Sequence, residues 1–127
     1  MKVVVTIARV LLGLTFAVFG ANGLHPFLPM GPLPTGLAMQ FITVLFQSHW
    51  VTLVASVQLL CGLLLLANRY VPLALALLGP VIVNILTFHL LMNLAGIGPG
   101  VVVTILWFIL FYRYRANFAG LFVEKAT

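Results

Sequence analysis

The sequence predicts an all-α fold, a four-helix transmembrane bundle of up-down-up-down topology with a short interfacial helix in the first outer loop. Hydrophobic residues make up 64% of the chain and charged residues only 6%, whereas soluble domains carry about 25% charged residues. The apolar residues also form long runs, each able to cross a hydrocarbon core of about 30 Å. A chain of 127 residues of this kind forms a single domain.

Four membrane spans follow in order, at residues 3–23, 48–67, 71–95 and 101–114. The first is a retained helix and not a signal peptide, because Arg9 interrupts its apolar run and no clear cleavage site follows. Pro72 stands at a favoured first-turn position of the third span, and Pro80 inside that span should kink it. The fourth span can continue as an interfacial extension as far as Phe122.

The first two spans are separated by a loop and a short helix. Four prolines fall within nine residues between Pro26 and Pro34, and each removes a backbone donor, so this segment is a loop. The apolar run at residues 37–67 is too long for one perpendicular span. It therefore divides into a short interfacial or re-entrant helix at residues 37–46 and the second span.

The formal net charge of +5 arises from six Lys and Arg residues and a single acid, Glu124. The basic residues are too few and too scattered to form a phosphate-binding face, which excludes nucleic acid as a partner. With four spans, five of them fall on one side of the membrane: Lys2, Arg69, Arg113, Arg115 and Lys125. This asymmetry predicts a multi-pass protein of the cell inner (cytoplasmic) membrane with both termini in the cytoplasm.

Polar side chains inside or beside the spans are the candidate functional residues, because lipid penalises them. Five fall at a similar outer level: His25, His49, His89, Asn22 and Asn93. Histidine can hydrogen-bond a quinone carbonyl and relay its proton, so the three histidines and Asn22 are candidates for an outer quinone site. The alternative is that each histidine is an amphipathic residue at headgroup level.

Haem ligation by His49 and His89 is geometrically conceivable, although nothing in their spacing demands it. No His-x-x-x-His or Glu-x-x-His pair is present, and no metal site is predicted. The single cysteine, Cys61, excludes an intrachain disulfide and is expected to be a small buried hydrophobe.

Two further candidates, Asn84 and Arg9, lie within spans. Asn84 shares one face of the third span with Thr87, and His89 shares a nearly opposite face with Asn93. One of these pairs therefore faces a partner protein, unless the Pro80 kink rearranges the faces.

Arg9 lies about 10 Å into the first span. It can snorkel to the inner headgroups or point inward to a backbone carbonyl, an amide such as Gln58, a lipid phosphate or a ligand. A stripe of small residues at Gly13, Ala17 and Ala21 predicts close helix packing on the first span.

After Arg9, six segments follow along the chain: LLGLTF at 11–16, FGANG at 19–23, QLLCGLLL at 58–65, NRYVPLAL at 68–75, NILTFH at 84–89 and YRYR at 112–115. In their order and spacing, these segments resemble the DoxX-like family of bacterial four-helix membrane proteins. The resemblance covers nearly the whole chain. It implies a membrane location and, more loosely, quinone-linked redox chemistry, because the family takes its name from subunits associated with quinone-linked oxidoreductases. The lack of a cysteine pair departs from the thiol chemistry proposed for some relatives.

Two functional hypotheses follow. The first is a quinone-linked subunit of a membrane oxidoreductase, with the outer histidines at the site. The second is a non-catalytic accessory subunit that packs against a larger respiratory or photosynthetic complex or another copy of itself. A shared cavity for the histidines favours the first, and outward-facing polar helix faces favour the second. A proton-coupled exporter is disfavoured because no span contains a carboxylate, and a carrier because the inner half has too few polar residues.

Overall fold

The computed structural model describes residues 1–28 and 33–126, and all the regular structure in that part of the chain is helical. The helices are α1 (Lys2–Leu24), α2 (Leu37–Gln47), α3 (Trp50–Ala67), α4 (Val71–Met92), α5 (Gly98–Arg113) and α6 (Arg115–Phe118), with 3-10 turns at Leu94–Gly96 and Ala119–Phe122. The predicted helical segments agree with these bounds within a few residues. The predicted proline-rich loop falls partly on residues 29–32, which lie outside the described residues.

Among the described residues, three helices, α1, α3 and α4, are long and apolar enough to cross a membrane. The fourth predicted span is different, since α5 has 16 residues and the chain then bends by 83° into the segment Arg115–Phe122. If these two bent pieces form one span, the described part of the chain has up to four candidate spans. The predicted continuation to Phe122 is therefore helical, but it leaves the axis of α5.

The long helices pack with their neighbours antiparallel. Gly13 of α1 meets Leu66 near the end of α3, whereas Gly23 at the other end of α1 meets Val51 near the start of α3. α5 is likewise antiparallel to α4, and it also contacts α1. The largest fully buried side chains come from α1, α3, α4 and α5: Leu12, Phe16, Cys61, Leu65, Leu75, Leu78 and Leu110. Cys61 is thus the buried hydrophobe that the sequence predicts.

The backbones of α1 and α3 approach each other closely at glycines. A methyl group on Gly62 would lie 2.4 Å from the backbone nitrogen of Ala17, and one on Gly20 would lie 2.7 Å from the carbonyl oxygen of Ala55. The predicted stripe is confirmed at Gly13 and Ala17. Gly20 and Gly23 of α1 also lie against α3.

The α3–α4 turn is a Schellman motif with an asparagine in the left-handed position. Asn68 has φ 56°, and its N–H donates to the carbonyl of Leu65, while the N–H of Arg69 donates to that of Leu64. This arrangement satisfies two carbonyls at the end of α3. We call the end of the molecule that holds Met1, residues 68–70 and Arg113 the terminal end, and the other, which holds His25 and His49, the histidine end.

Candidate functional site

Two of the three histidines at the histidine end occupy helix boundaries. His25 ends α1, and its backbone N–H donates to the carbonyl of Ala21 at 2.9 Å. His49 has φ 63° and joins α2 to α3 as the residue before Trp50. Both side chains are exposed, so they are available to headgroups or to a partner and are not part of a closed cavity.

His89 is the histidine with a built environment. Its side chain is half-buried in the last turn of α4, and Nδ1 lies 2.8 Å from the carbonyl oxygen of Ile85. Because a carbonyl only accepts, Nδ1 carries the proton in neutral His89 and Nε2 is left as an acceptor. His89 Nε2 and Asn93 Nδ2 both lie beside Gly96. A methyl group added to Gly96 would be 3.4 Å from Nε2 and 3.2 Å from Nδ2. The ring edge meets Phe88 at 5.0 Å between centroids.

Asn22 is buried, with 6% of its surface exposed, and it organises the chain that leaves α1. Its Oδ1 accepts the backbone N–H groups of Phe27 at 2.8 Å and Leu28 at 2.9 Å. Both lone pairs of this oxygen are thereby used. The geometry gives Asn22 a structural role that the sequence did not indicate, and its proposed part in ligand binding stays a prediction.

Asn84 and Thr87 lie on an exposed face of α4. The Asn84 amide donates through Nδ2 to the carbonyl of Pro80 at 2.8 Å, and the Thr87 hydroxyl donates to the carbonyl of Val83 at 2.8 Å. His89 and Asn93, by contrast, are half-buried. The two faces predicted from helix phase therefore differ in exposure, and the Asn84 face is the one that points away from the other helices.

Arg9 is half-buried and reaches across to the end of α3. Its Nη1 donates to the carbonyl oxygens of Leu65 and, at 3.3 Å, of Leu66. These are among the last carbonyls of α3, where the helix dipole places partial negative charge. Of the partners expected for Arg9, the structure thus contains the backbone carbonyl.

The six predicted site residues do not form one constellation. Within residues 1–28 and 33–126, no hydrogen bond or ring contact joins any two of the three histidines. In the same ranges no three His, Cys, Asp or Glu side chains are placed to share a metal ion. Arg9 lies near the terminal end, and Asn84 faces outward from α4.

Two features of α5 were missed by the sequence reasoning. Trp107 donates from Nε1 to the carbonyl of Leu75 in α4 at 2.9 Å; the rule that a buried indole N–H needs an acceptor could have indicated such a bond. The second is a pair of adjoining grooves at the terminal end, with volumes of about 370 and 460 Å³, which share Met1 and Tyr112 in their walls. Arg113 and Arg115 line one of these grooves, and the sequence reasoning had interpreted them only as topology signals.

The chain matches no protein-family model, no curated protein and no solved structure. The class that the fold itself defines is an all-helical protein with three or four helices suited to a lipid bilayer.

Proposed function

We propose that this chain is a DoxX-like, multi-pass protein of a bacterial inner membrane that serves as a non-catalytic accessory subunit of a larger membrane complex. Four helices would cross the bilayer up-down-up-down, with both termini in the cytoplasm. The charge distribution supports this orientation, because Lys2, Arg69 and Arg113 belong to the terminal end, and the positive-inside rule assigns such an end to the cytoplasm.

The observation that supports the accessory role is the exposed side chain of Asn84. It lies 13 residues beyond Val71, or about 20 Å along α4, which is within the hydrocarbon layer. Its amide makes one hydrogen bond in the described part of the chain, to the Pro80 carbonyl, and an amide can make four. Exposing the remaining groups to lipid is costly. A polar contact from another membrane protein would remove that cost, so this face of α4 is the proposed contact surface.

The test is the mass of the native assembly of the full chain, purified from its own membranes in mild detergent. We expect wild type to run as a discrete species well above one chain with its detergent, and Asn84→Leu to shift it toward the monomer. Val83→Leu is the matched control, because Val83 is an exposed neighbour on the same helix. A species at a multiple of 13.8 kDa would make the partner another copy of this chain, and a monomeric wild type would refute the proposal.

A second candidate function is favoured by the tautomer of His89. With Nδ1 bound to the Ile85 carbonyl, Nε2 is preset to accept a hydrogen bond from a quinol hydroxyl beside Asn93. Quinone extracted from the purified protein should then fall in His89→Ala and stay at the wild-type level in His49→Ala, whose histidine is exposed. Equal quinone content in all three proteins, or none, argues against this second function.

A further inference from the structure

The two grooves at the terminal end meet at Met1 and Tyr112, which line both, and together they make a depression with two chemically different halves. The half between α1 and α5 is almost entirely apolar and is lined chiefly by Val4, Ile105, Phe108 and Ile109. The other half is lined by Met1, Tyr112, Arg113, Arg115 and Ala116.

Both arginines of the polar half are held in place by aromatic neighbours. The Arg115 guanidinium lies 4.2 Å from the centroid of the Tyr112 ring, and its Nη1 donates to the Tyr112 carbonyl at 2.6 Å. The Arg113 guanidinium lies 5.3 Å from the centroid of the Tyr114 ring. Cation–π contacts of this kind orient a guanidinium without neutralising its charge.

Within residues 1–28 and 33–126, neither Arg113 nor Arg115 forms a salt bridge. The chain contains one acid, Glu124, which is exposed, and no salt bridge joins it to a basic residue within the described ranges. Guanidinium groups bind phosphate oxygens well, because their planar fork can donate two hydrogen bonds at once.

The bend after α5 fixes the level of the arginines relative to the apolar groove. The segment Arg115–Phe122 departs from the α5 axis by 83°, and Phe118 anchors it by packing against Phe111 at 5.1 Å between centroids. The arginines therefore lie at the corner where the candidate span ends, while the apolar half runs back along α5. From Ile105 to Tyr112 this covers about 10 Å, in the direction that an acyl chain takes from its headgroup.

We propose that this depression is a binding site for an anionic glycerophospholipid, with the phosphate between Arg113 and Arg115 and an acyl chain along Ile105 and Phe108. Basic pockets between membrane helices are a recognised form of anionic lipid site. The proposal does not depend on the accessory role, because the groove lies at the end of α5 and the Asn84 face lies on α4.

Native mass spectrometry of the delipidated, detergent-solubilised full chain tests the site, with phosphatidylglycerol as the probe and phosphatidylcholine as its zwitterionic counterpart. We expect wild type to retain phosphatidylglycerol preferentially, and Arg113→Gln and Arg115→Gln each to weaken its binding about fivefold. Arg69→Gln is the matched control, since it removes the same charge at the same end but outside the groove. Equal weakening in the control, or equal affinity for both lipids, would overturn the proposal.

A second variant tests the apolar half without altering charge. Ile105→Trp fills the groove and should reduce phosphatidylglycerol binding, whereas Ile7→Trp, at another exposed position in a membrane helix, should leave it at the wild-type level. Inorganic phosphate is the last probe. If millimolar phosphate displaces the lipid as effectively as free phosphatidylglycerol does, or if Ile105→Trp binds lipid like wild type, the acyl half plays no part and the proposed lipid site is wrong.

Discussion

Single polar side chains in this protein complete the ends of helices. Arg9 provides charged donors to the last carbonyls of α3, and Asn22 provides an acceptor to the N–H groups that follow α1. Helix ends leave backbone groups without partners, and lipid offers none in their place. Polar residues near the ends of apolar helices can therefore be structural, and their role must be separated from ligand binding by experiment.

Replacing Arg9 with leucine should lower the free energy of unfolding by about 1.5–3 kcal/mol, the range for a hydrogen bond to a charged group. Arg9→Lys should recover part of this loss, because an ammonium keeps the charge but not the planar fork. The measurement is equilibrium unfolding in mixed micelles followed by circular dichroism. Arg69→Leu, which alters an exposed arginine in the α3–α4 turn, is the control. An equal loss of unfolding free energy in that variant would show that the hydrogen bonds of Arg9 make no specific contribution to stability.

Asn22→Leu should cost about 1–3 kcal/mol, because two backbone N–H groups lose their acceptor. Asn22→Asp keeps an acceptor oxygen and should stay closer to wild type. Hydrogen exchange at the amides of Phe27 and Leu28 reports the bond directly and should accelerate in the leucine variant. Unchanged exchange at both amides would show that Asn22 does not hold this turn. Asn117→Leu, at an exposed position, serves as the control for loss of an amide.

At the scale of elements, the pairing of α1 with α3 depends on the absence of side chains. In a membrane, helices associate through close packing and not through the hydrophobic effect, so small residues at the crossing are decisive. Gly62 meets the backbone of α1 at Ala17 and Gly13, and Gly20 meets that of α3 at Ala55 and Leu59. A side chain at either glycine would require the two helices to separate.

Gly62→Ala should therefore destabilise the protein by about 1–3 kcal/mol, the usual cost of overpacking, although alanine is the better helix former. Gly120→Ala is the control, since a methyl group there meets no atom within 4 Å and should change stability little. The readout is the midpoint of SDS-induced unfolding from a non-ionic micelle. If Gly62→Ala is as stable as wild type, the tight α1–α3 contact is not a determinant of the fold.

At the scale of the whole molecule, the basic residues are distributed unevenly, and the proposed orientation in the membrane rests on this asymmetry. The loops at the histidine end contain no Lys or Arg, whereas the terminal end contains Lys2, Arg69 and Arg113. The same asymmetry supplies the cationic half of the proposed lipid site. One charge distribution could thus set the orientation during insertion and hold an anionic lipid afterwards.

Cysteine labelling in intact cells measures this orientation. Ala95→Cys, in the exposed 3-10 turn of the histidine end, should react with a membrane-impermeant maleimide from outside. Ala126→Cys should react only after permeabilisation. The native Cys61 is fully buried and should contribute no background. The reverse pattern would place the termini outside and contradict the proposed topology.

Much of the architecture could be predicted from local sequence. Three local signals indicated the helices to within a few residues: the lengths of the apolar runs, the prolines and the Asn-Arg-Tyr turn. Each of them depends only on the residues of its own segment and not on how the segments pack. Helix phase also separated the Asn84 face of α4 from the His89 face, but only the packing decided that the Asn84 face is the exposed one. Partners for Arg9 could be named only as a class, and the contact of Gly20 with α3 was missed, since both depend on how two helices cross.

The sequence by itself determined that this is an all-helical protein suited to lipid, because composition and run length are properties of the chain alone. Only the tertiary structure decided which polar residues are structural and which are available. Packing joined Arg9 to α3 and Trp107 to α4 and left the three histidines apart. It also brought Met1 beside Tyr112 and Arg113, over more than a hundred residues of sequence. Such contacts depend on helix crossing and bending, which no local pattern encodes.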